Sequence, residues 1–114
     1  MVEEHAVAIP DVIRRYLSAH DRHDTDESLS AFAVDGRVFD DGREYRGQEG
    51  IHDWLARAST QFTYTRTLVD AVEEQTDVWL IRNRLEGDFP GGVVDLGYRF
   101  RLADGLIIDL VIQP

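Results

Sequence analysis

Two adjacent carboxylates, Asp40 and Asp41, follow the apolar pair Val38-Phe39 and precede Gly42. Neighbouring side chains on a strand point to opposite faces, so one of these acids faces the interior and the other faces out. A carboxylate aimed into an apolar interior has two uses. It caps the following turn through an Asx-type hydrogen bond, or it acts as a general base whose proton affinity desolvation raises. Tyr16 lies on the apolar side of a helical stretch and reads either as a core tyrosine with one hydroxyl partner or as a donor to a ligand oxygen. The second role requires that Tyr16 and Asp40 line one cavity. Asn83 and Tyr98 are the polar exceptions on an apolar hairpin face. They either bond each other or orient a ligand, since pockets are mostly apolar with a few placed polar groups. Phe32, Trp54 and Trp79 are core aromatics first and pocket lining second. His20 and His23, three residues apart, could meet on a helix. No third ligand is spaced to join them, so no metal site is expected.

These residues need elements to position them. From Asp11, residues Ile13, Tyr16, Leu17 and His20 recur at helical spacing, which predicts an amphipathic first helix ending in Asp21-Arg22-His23. Asp24 then suits the N-cap of a short second helix, with Glu27 as capping-box partner and Leu29 and Phe32 as its apolar side. Val38 to Asp41 reads as a short strand, and Asp41-Gly42 as a turn. A third helix starts near Gly47, with Ile51, Trp54, Leu55 and Ala58 on one face. From Phe62 the period changes to that of strands: Thr63–Glu73, Val78–Phe89, Val93–Leu102 and Leu106–Ile112. Pro90-Gly91 suits the centre of a type II turn. With that turn as pivot, Leu85 faces Leu96, Asn83 faces Tyr98, Ile81 faces Phe100 and Trp79 faces Leu102. The last turn offers a fork. A two-residue Asp104-Gly105 turn would bring Asp109 inward, whereas a three-residue Ala103-Asp104-Gly105 loop sends Ile108, Leu110 and Ile112 inward. The loop is the expectation, because it buries three aliphatics. Helices followed by four antiparallel strands predict an α+β domain, three helices on one face of a curved, mainly antiparallel sheet.

Composition narrows the function classes. With 114 residues the chain forms one domain, spanning 1–114. A hydrophobic fraction of 43%, spread along the whole length, opposes disorder. Apolar runs are too short for a membrane span, and Glu3, Glu4 and His5 do not resemble the start of a signal peptide. A cytoplasmic location is therefore expected. The absence of cysteine removes thiolate chemistry and disulfides, and the absence of lysine removes Schiff-base chemistry. A net charge of −10 argues against a nucleic-acid partner. No phosphate loop or nucleophile elbow is present, so no cofactor is expected. The outer hairpin face carries Arg82, Arg84, Arg99 and Arg101 with Glu86 and Asp95, beside Val78 and Leu80. This face is expected to pair two copies about a two-fold axis.

The runs Arg15-Tyr16-Leu17, Phe32-Ala33-Val34-Asp35-Gly36, Val38-Phe39-Asp40-Asp41, Tyr45-Arg46-Gly47 and Tyr98-Arg99-Phe100 resemble the SnoaL-like branch of the nuclear transport factor 2-like superfamily. The resemblance implies a cone, in which a bent sheet wraps three helices around a pocket for a small apolar molecule. The superfamily holds isomerases, cyclases and non-enzymatic binders. In motif and spacing, Tyr16 and Asp40 match the oxyanion-binding tyrosine and general base of the ketosteroid isomerases, an enzyme class that also uses a second, protonated acid. The position of that second acid falls at or near Gly97, and the closest acid, Asp95, points outward in the register above. The function implied is proton movement on a carbonyl compound. The alternative is a non-catalytic binding or dimerisation domain.

Overall fold

The computed structural model describes residues 8–114, without side chains at 59–61. The acidic start at Glu3-Glu4-His5 lies outside these residues. Helix α1 (Asp11–Asp21) begins at Pro10, whose carbonyl accepts from the Ile13 and Arg14 N–H groups. It buries Val12, Ile13, Tyr16, Leu17, Ala19 and His20, the face its periodicity predicts. Helix α2 (Thr25–Ser30) is capped as expected, the Asp24 carboxylate accepting from the Glu27 N–H at 3.1 Å. Such a cap contributes about 1 kcal/mol. The Glu27 side chain does not close the capping box but lies 3.4 Å from Arg15 on α1.

Phe32 is not the last apolar residue of α2. It opens strand β1 (Phe32–Asp40), six residues earlier than the sequence suggested. Leu29 and Phe32 have helical spacing, but Phe32 pairs with a strand far away in sequence, and local periodicity cannot report such a partner. Asp41 and Gly42, with φ of 53° and 77°, form the two-residue turn into β2 (Arg43–Arg46). Positive φ at both positions suits a type I′ hairpin. The sequence reading omitted β2, because Arg-Glu-Tyr-Arg has no apolar alternation. Helix α3 (Gly47–Gln61) follows, then β3 (Tyr64–Gln75), β4 (Val78–Gly87), β5 (Val93–Ala103) and β6 (Leu106–Gln113).

The six strands form one open sheet in the order β2-β1-β6-β5-β4-β3. β3 to β6 make the expected antiparallel meander, and β1 pairs with β6 in parallel, so the sheet is mixed. The pivot of the β4–β5 hairpin differs from the sequence reading by two residues: Trp79 faces Phe100, Ile81 faces Tyr98, Asn83 faces Leu96 and Leu85 faces Val94. The cause is Asp88. Its carboxylate accepts from the Thr63 N–H at 2.9 Å and its own N–H donates to the Thr63 carbonyl, which draws it out of the strand. Pro90-Gly91 still sits in the turn, with Gly91 at φ 90°. A shift of two leaves every side chain on its expected face.

At the β5–β6 turn the structure overturns the loop expectation. Asp104 and Gly105 form a two-residue turn, with Ala103 paired to Leu106. A bulge between Arg101 and Leu102 then shifts the pairing, so Ile107 and Leu110 are buried and Asp109 still faces outward. There Asp109 accepts from Arg37 at 2.9 Å. Ile108, expected inward, is displaced by Ile107 through this bulge. Trp54, Leu55 and Phe100 share one buried core with α1 residues, and Leu96 packs against it, as the sequence predicts.

Candidate functional site

A cavity of about 600 Å³ opens at the end of the sheet where β1 ends and the β4–β5 hairpin turns. Asp40 and Asp41 line it from β1 and its turn, Trp54, Ala58 and Phe62 from α3 and the segment after it, and Tyr64 from β3. Leu85, Phe89, Leu96, Tyr98 and Ile112 supply the far wall, and His20 reaches it from α1. The wall is mainly apolar and aromatic with a few polar groups, the usual make-up of a small-molecule site.

Asp40 is only partly buried, and its Oδ2 accepts the Trp54 indole N–H at 3.0 Å. Burial raises its pKa above the ordinary carboxylate value, and the neighbouring Asp41 charge adds to this, while the Trp54 and Asp41 N–H groups oppose it. Desolvation penalises the charged form, so this carboxylate binds a proton more readily than a solvated one. The Trp54 ring stacks on His20 at 6.0 Å between centroids and 11° between planes. The other face of His20 stacks on Tyr16 at 5.7 Å. The imidazole is thus held between two rings, with its Nε2 3.2 Å from the Tyr64 hydroxyl. Burial pushes the His20 pKa down to about 4, so the ring is neutral near pH 7. Tyr64 and Tyr98 are both raised above the ordinary phenol value, again first by burial.

The sequence-predicted residues divide into two groups. Asp40, Trp54 and Tyr98 meet at the cavity wall. Tyr16, Phe32, Trp79 and Asn83 are buried but do not line it. Tyr16 lies beneath the wall, edge-on to Phe32 at 5.5 Å and Phe100 at 5.8 Å, and its hydroxyl has no hydrogen-bond partner among the described residues. Phe32 opens β1 whereas Asp40 closes it. Trp79 lies near the β3–β4 turn, at the end of β4 opposite Leu85. Asn83 faces Leu96 rather than Tyr98, and its Oδ1 accepts from Arg66 at 2.8 Å. Arg66 also forms a two-pronged pair with Asp21 at 2.8 and 2.9 Å, tying the end of α1 to the sheet. Asp95 faces outward, paired with Arg84 at 2.9 Å, so it supplies no second acid to the cavity.

Sequence reasoning missed Tyr64 and Arg66, and weighed His20 only as a helix-face residue and a metal ligand. Two of the signals were legible: His20 stands in register with Ile13, Tyr16 and Leu17, and Tyr64 follows the aromatic Phe62 by two. Arg66 faces inward in a strand whose exposed pattern gave no sign of it. Among the described residues no three His, Asp or Glu side chains are gathered as metal donors. No helix among them is long and apolar enough to cross a membrane.

The sequence profile of the SnoaL-like domain matches residues 13–110, and the chain belongs to that family. Among solved structures, it is similar to a candidate polyketide cyclase from Sinorhizobium meliloti, with 31% identity, 98% of this chain and 100% of the other covered, and a TM-score of 0.88. A Catenulispora acidiphila protein with a ketosteroid isomerase-like fold, in complex with trimethylamine, has 20% identity over 94% of this chain and 87% of its own, with a TM-score of 0.82. A Mycobacterium tuberculosis protein in complex with estradiol-17β-hemisuccinate has 18% identity, 90% coverage of both chains and a TM-score of 0.75. A search of curated proteins finds no match.

Proposed function

We propose that this SnoaL-like domain takes an apolar carbonyl compound into the 600 Å³ cavity and moves a proton on it, as an isomerase or cyclase does. The observation that carries this reading is Asp40, a carboxylate with raised proton affinity in a mainly apolar wall. Asp40 takes a proton from the carbon next to the carbonyl, and the carbonyl oxygen takes up the negative charge. The charge returns to Asp40 when it delivers that proton to another carbon, or when the enolate carbon bonds to a second carbonyl carbon to close a ring and the alkoxide so formed takes the proton from Asp40. The Trp54 N–H orients the carboxylate, whose remaining lone pairs accept the proton. Donors to the charged oxygen come from the surrounding phenols, since preorganised donors stabilise developing charge. Tyr16 is the donor the family resemblance implies, but it is wholly buried beneath the cavity wall rather than on it. The steroid ester bound by the Mycobacterium protein and the cyclase designation of the Sinorhizobium one support a ligand of this size and polarity.

Exchange of the α-protons of 2-tetralone for deuterium, followed by NMR, tests the reading without knowledge of the natural substrate. Asp40→Asn should slow exchange by about 10²–10⁴-fold, the usual contribution of a general base. Equal rates, with 2-tetralone still bound, would leave a binding module. The Asp40–Trp54 hydrogen bond favours that second reading, because it gives Asp40 a structural partner. The proposed assembly is a cytoplasmic homodimer joined through the outer sheet face, where Val72, Leu80 and Val93 stand among ion pairs.

A further inference from the structure

We infer that Tyr64, held by His20, is the hydroxyl that meets the charged oxygen of the ligand in the cavity that Asp40 lines. The inference rests on the proton-transfer reading above and names a donor that the family resemblance does not. Tyr64 and His20 both line the cavity, whereas Tyr16 and Asn83 do not. Tyr64 begins β3, where Gly87 faces it across the pair. A Cβ on Gly87 would stand 2.3 Å from the Thr63 carbonyl oxygen and 2.5 Å from the Tyr64 Cβ. The bare glycine therefore lets β3 approach closely enough to bring the phenol to the wall.

In its Nε2–H tautomer, His20 fixes the direction of the phenol proton. Its ring is clamped between Trp54 and Tyr16, so Nε2 stays 3.2 Å from the Tyr64 oxygen. A neutral imidazole carries one N–H. With that hydrogen on Nε2 it donates to the Tyr64 oxygen, and the Tyr64 O–H is left for the ligand. A donor behind the phenol polarises it and strengthens the bond it makes in turn. Neutrality also matters to the base, because an imidazolium here would favour the ionised form of Asp40 and weaken it as a proton acceptor. Arg66, the nearest guanidinium, is committed to Asp21 and Asn83 and does not displace His20 from the phenol. The array Asp40–Trp54–His20–Tyr64 thus sets a base and a donor into one wall, joined through two stacked rings.

The test uses 2-naphthol, whose ionised form mimics an enolate and has its own absorption and excitation bands. All variants are made on an Asp40→Asn background, which imitates the protonated base of the intermediate. On binding, the naphthol proton passes to bulk solvent, and the ratio of ionised to neutral naphthol in the complex is read at fixed pH. Tyr64→Phe should lower this ratio about ten-fold or more, the usual worth of a hydrogen bond to a charged group. His20→Leu should lower it similarly, and His20→Gln, which restores an N–H donor, should recover it to within about three-fold. Difluorotyrosine at position 64, a more acidic phenol of nearly the same shape, should raise the ratio. Tyr16→Phe should leave it unchanged. An unaltered ratio in Tyr64→Phe, a ten-fold fall in Tyr16→Phe, or naphthol bound only in its neutral form before either change would overturn the assignment. Deuterium exchange that depends on Asp40 would survive any of these results, so failure of the donor and failure of the base remain separable.

Discussion

Replacing Tyr16 by Phe should stabilise the protein. The Tyr16 hydroxyl is wholly buried and has no hydrogen-bond partner among the described residues. A buried polar group left unsatisfied costs about 1–3 kcal/mol. The ring itself makes good contacts, stacked on His20 and edge-on to Phe32 and Phe100, and phenylalanine keeps all of them. What is lost is one oxygen's volume. The void is smaller than a water molecule and costs roughly 0.3 kcal/mol at about 24 cal/mol per Å³ of cavity. The balance favours Phe by about 1–2 kcal/mol, which for a domain of this size raises Tm by about 4–8 °C. Urea unfolding followed by tryptophan fluorescence, with calorimetry at pH 7, measures both quantities. The urea m value should not change, since the surface exposed on unfolding is the same. A loss of 1 kcal/mol or more would refute the reasoning, because it would mean that the hydroxyl has a favourable partner in solution.

Four further outcomes are expected. His20 has a folded pKa near 4 against an ordinary value of 6.5, so the unfolded chain binds more protons between these values. Stability should therefore fall as pH is lowered through that window, by roughly 3 kcal/mol at most, and His20→Gln should flatten the denaturation profile there. Asp40 acts with the opposite sign: its raised pKa makes folding less favourable as pH climbs through and beyond the ordinary carboxylate range, and Asp40→Asn should remove that slope. Gly87→Ala should destabilise by about 1–3 kcal/mol or more through its clash with the β3 backbone, and should weaken 2-naphthol binding by displacing Tyr64. Sedimentation at tens of micromolar protein, roughly the range in which a standard-sized interface holds, should give a dimer that Leu80→Glu dissociates. A monomer in the parent protein would refute the outer-face interface.

Much of the fold was legible because its signals are local. The Asp24 cap, the Asp41-Gly42 turn and the alternation in β4 and β5 each follow from neighbouring residues, and alternation still gives the correct faces when the pivot is off by two. The errors arose where a distant partner decides. Phe32 is a strand residue because β6 pairs with it, and Asp88 leaves its strand because Thr63 binds it. Ile107 displaces Ile108 through a bulge that restores the facing a two-residue turn would have reversed. Within the site, Asp40, Trp54 and Tyr98 were readable from facial position, and the structure adds His20 and Tyr64 beside them. Asn83 was read as a possible ligand group, but its oxygen is taken by Arg66, whose inward orientation no periodicity revealed.

The position of β6 has a kinetic consequence. This strand follows every other element in the chain, yet it occupies the inside of the sheet, parallel to β1 on one edge and antiparallel to β5 on the other. Until it docks, the chain consists of a helical half with a short hairpin and a separate three-stranded meander, each with an unpaired edge. Closing that seam requires contacts between residues about 70 apart in sequence, such as Arg37 with Asp109 and Val38 with Leu110. During synthesis neither half can finish its core before β6 has left the ribosome, and both edges stay open to pairing with another copy. Completion of the last strand is thus the step at which folding and aggregation compete.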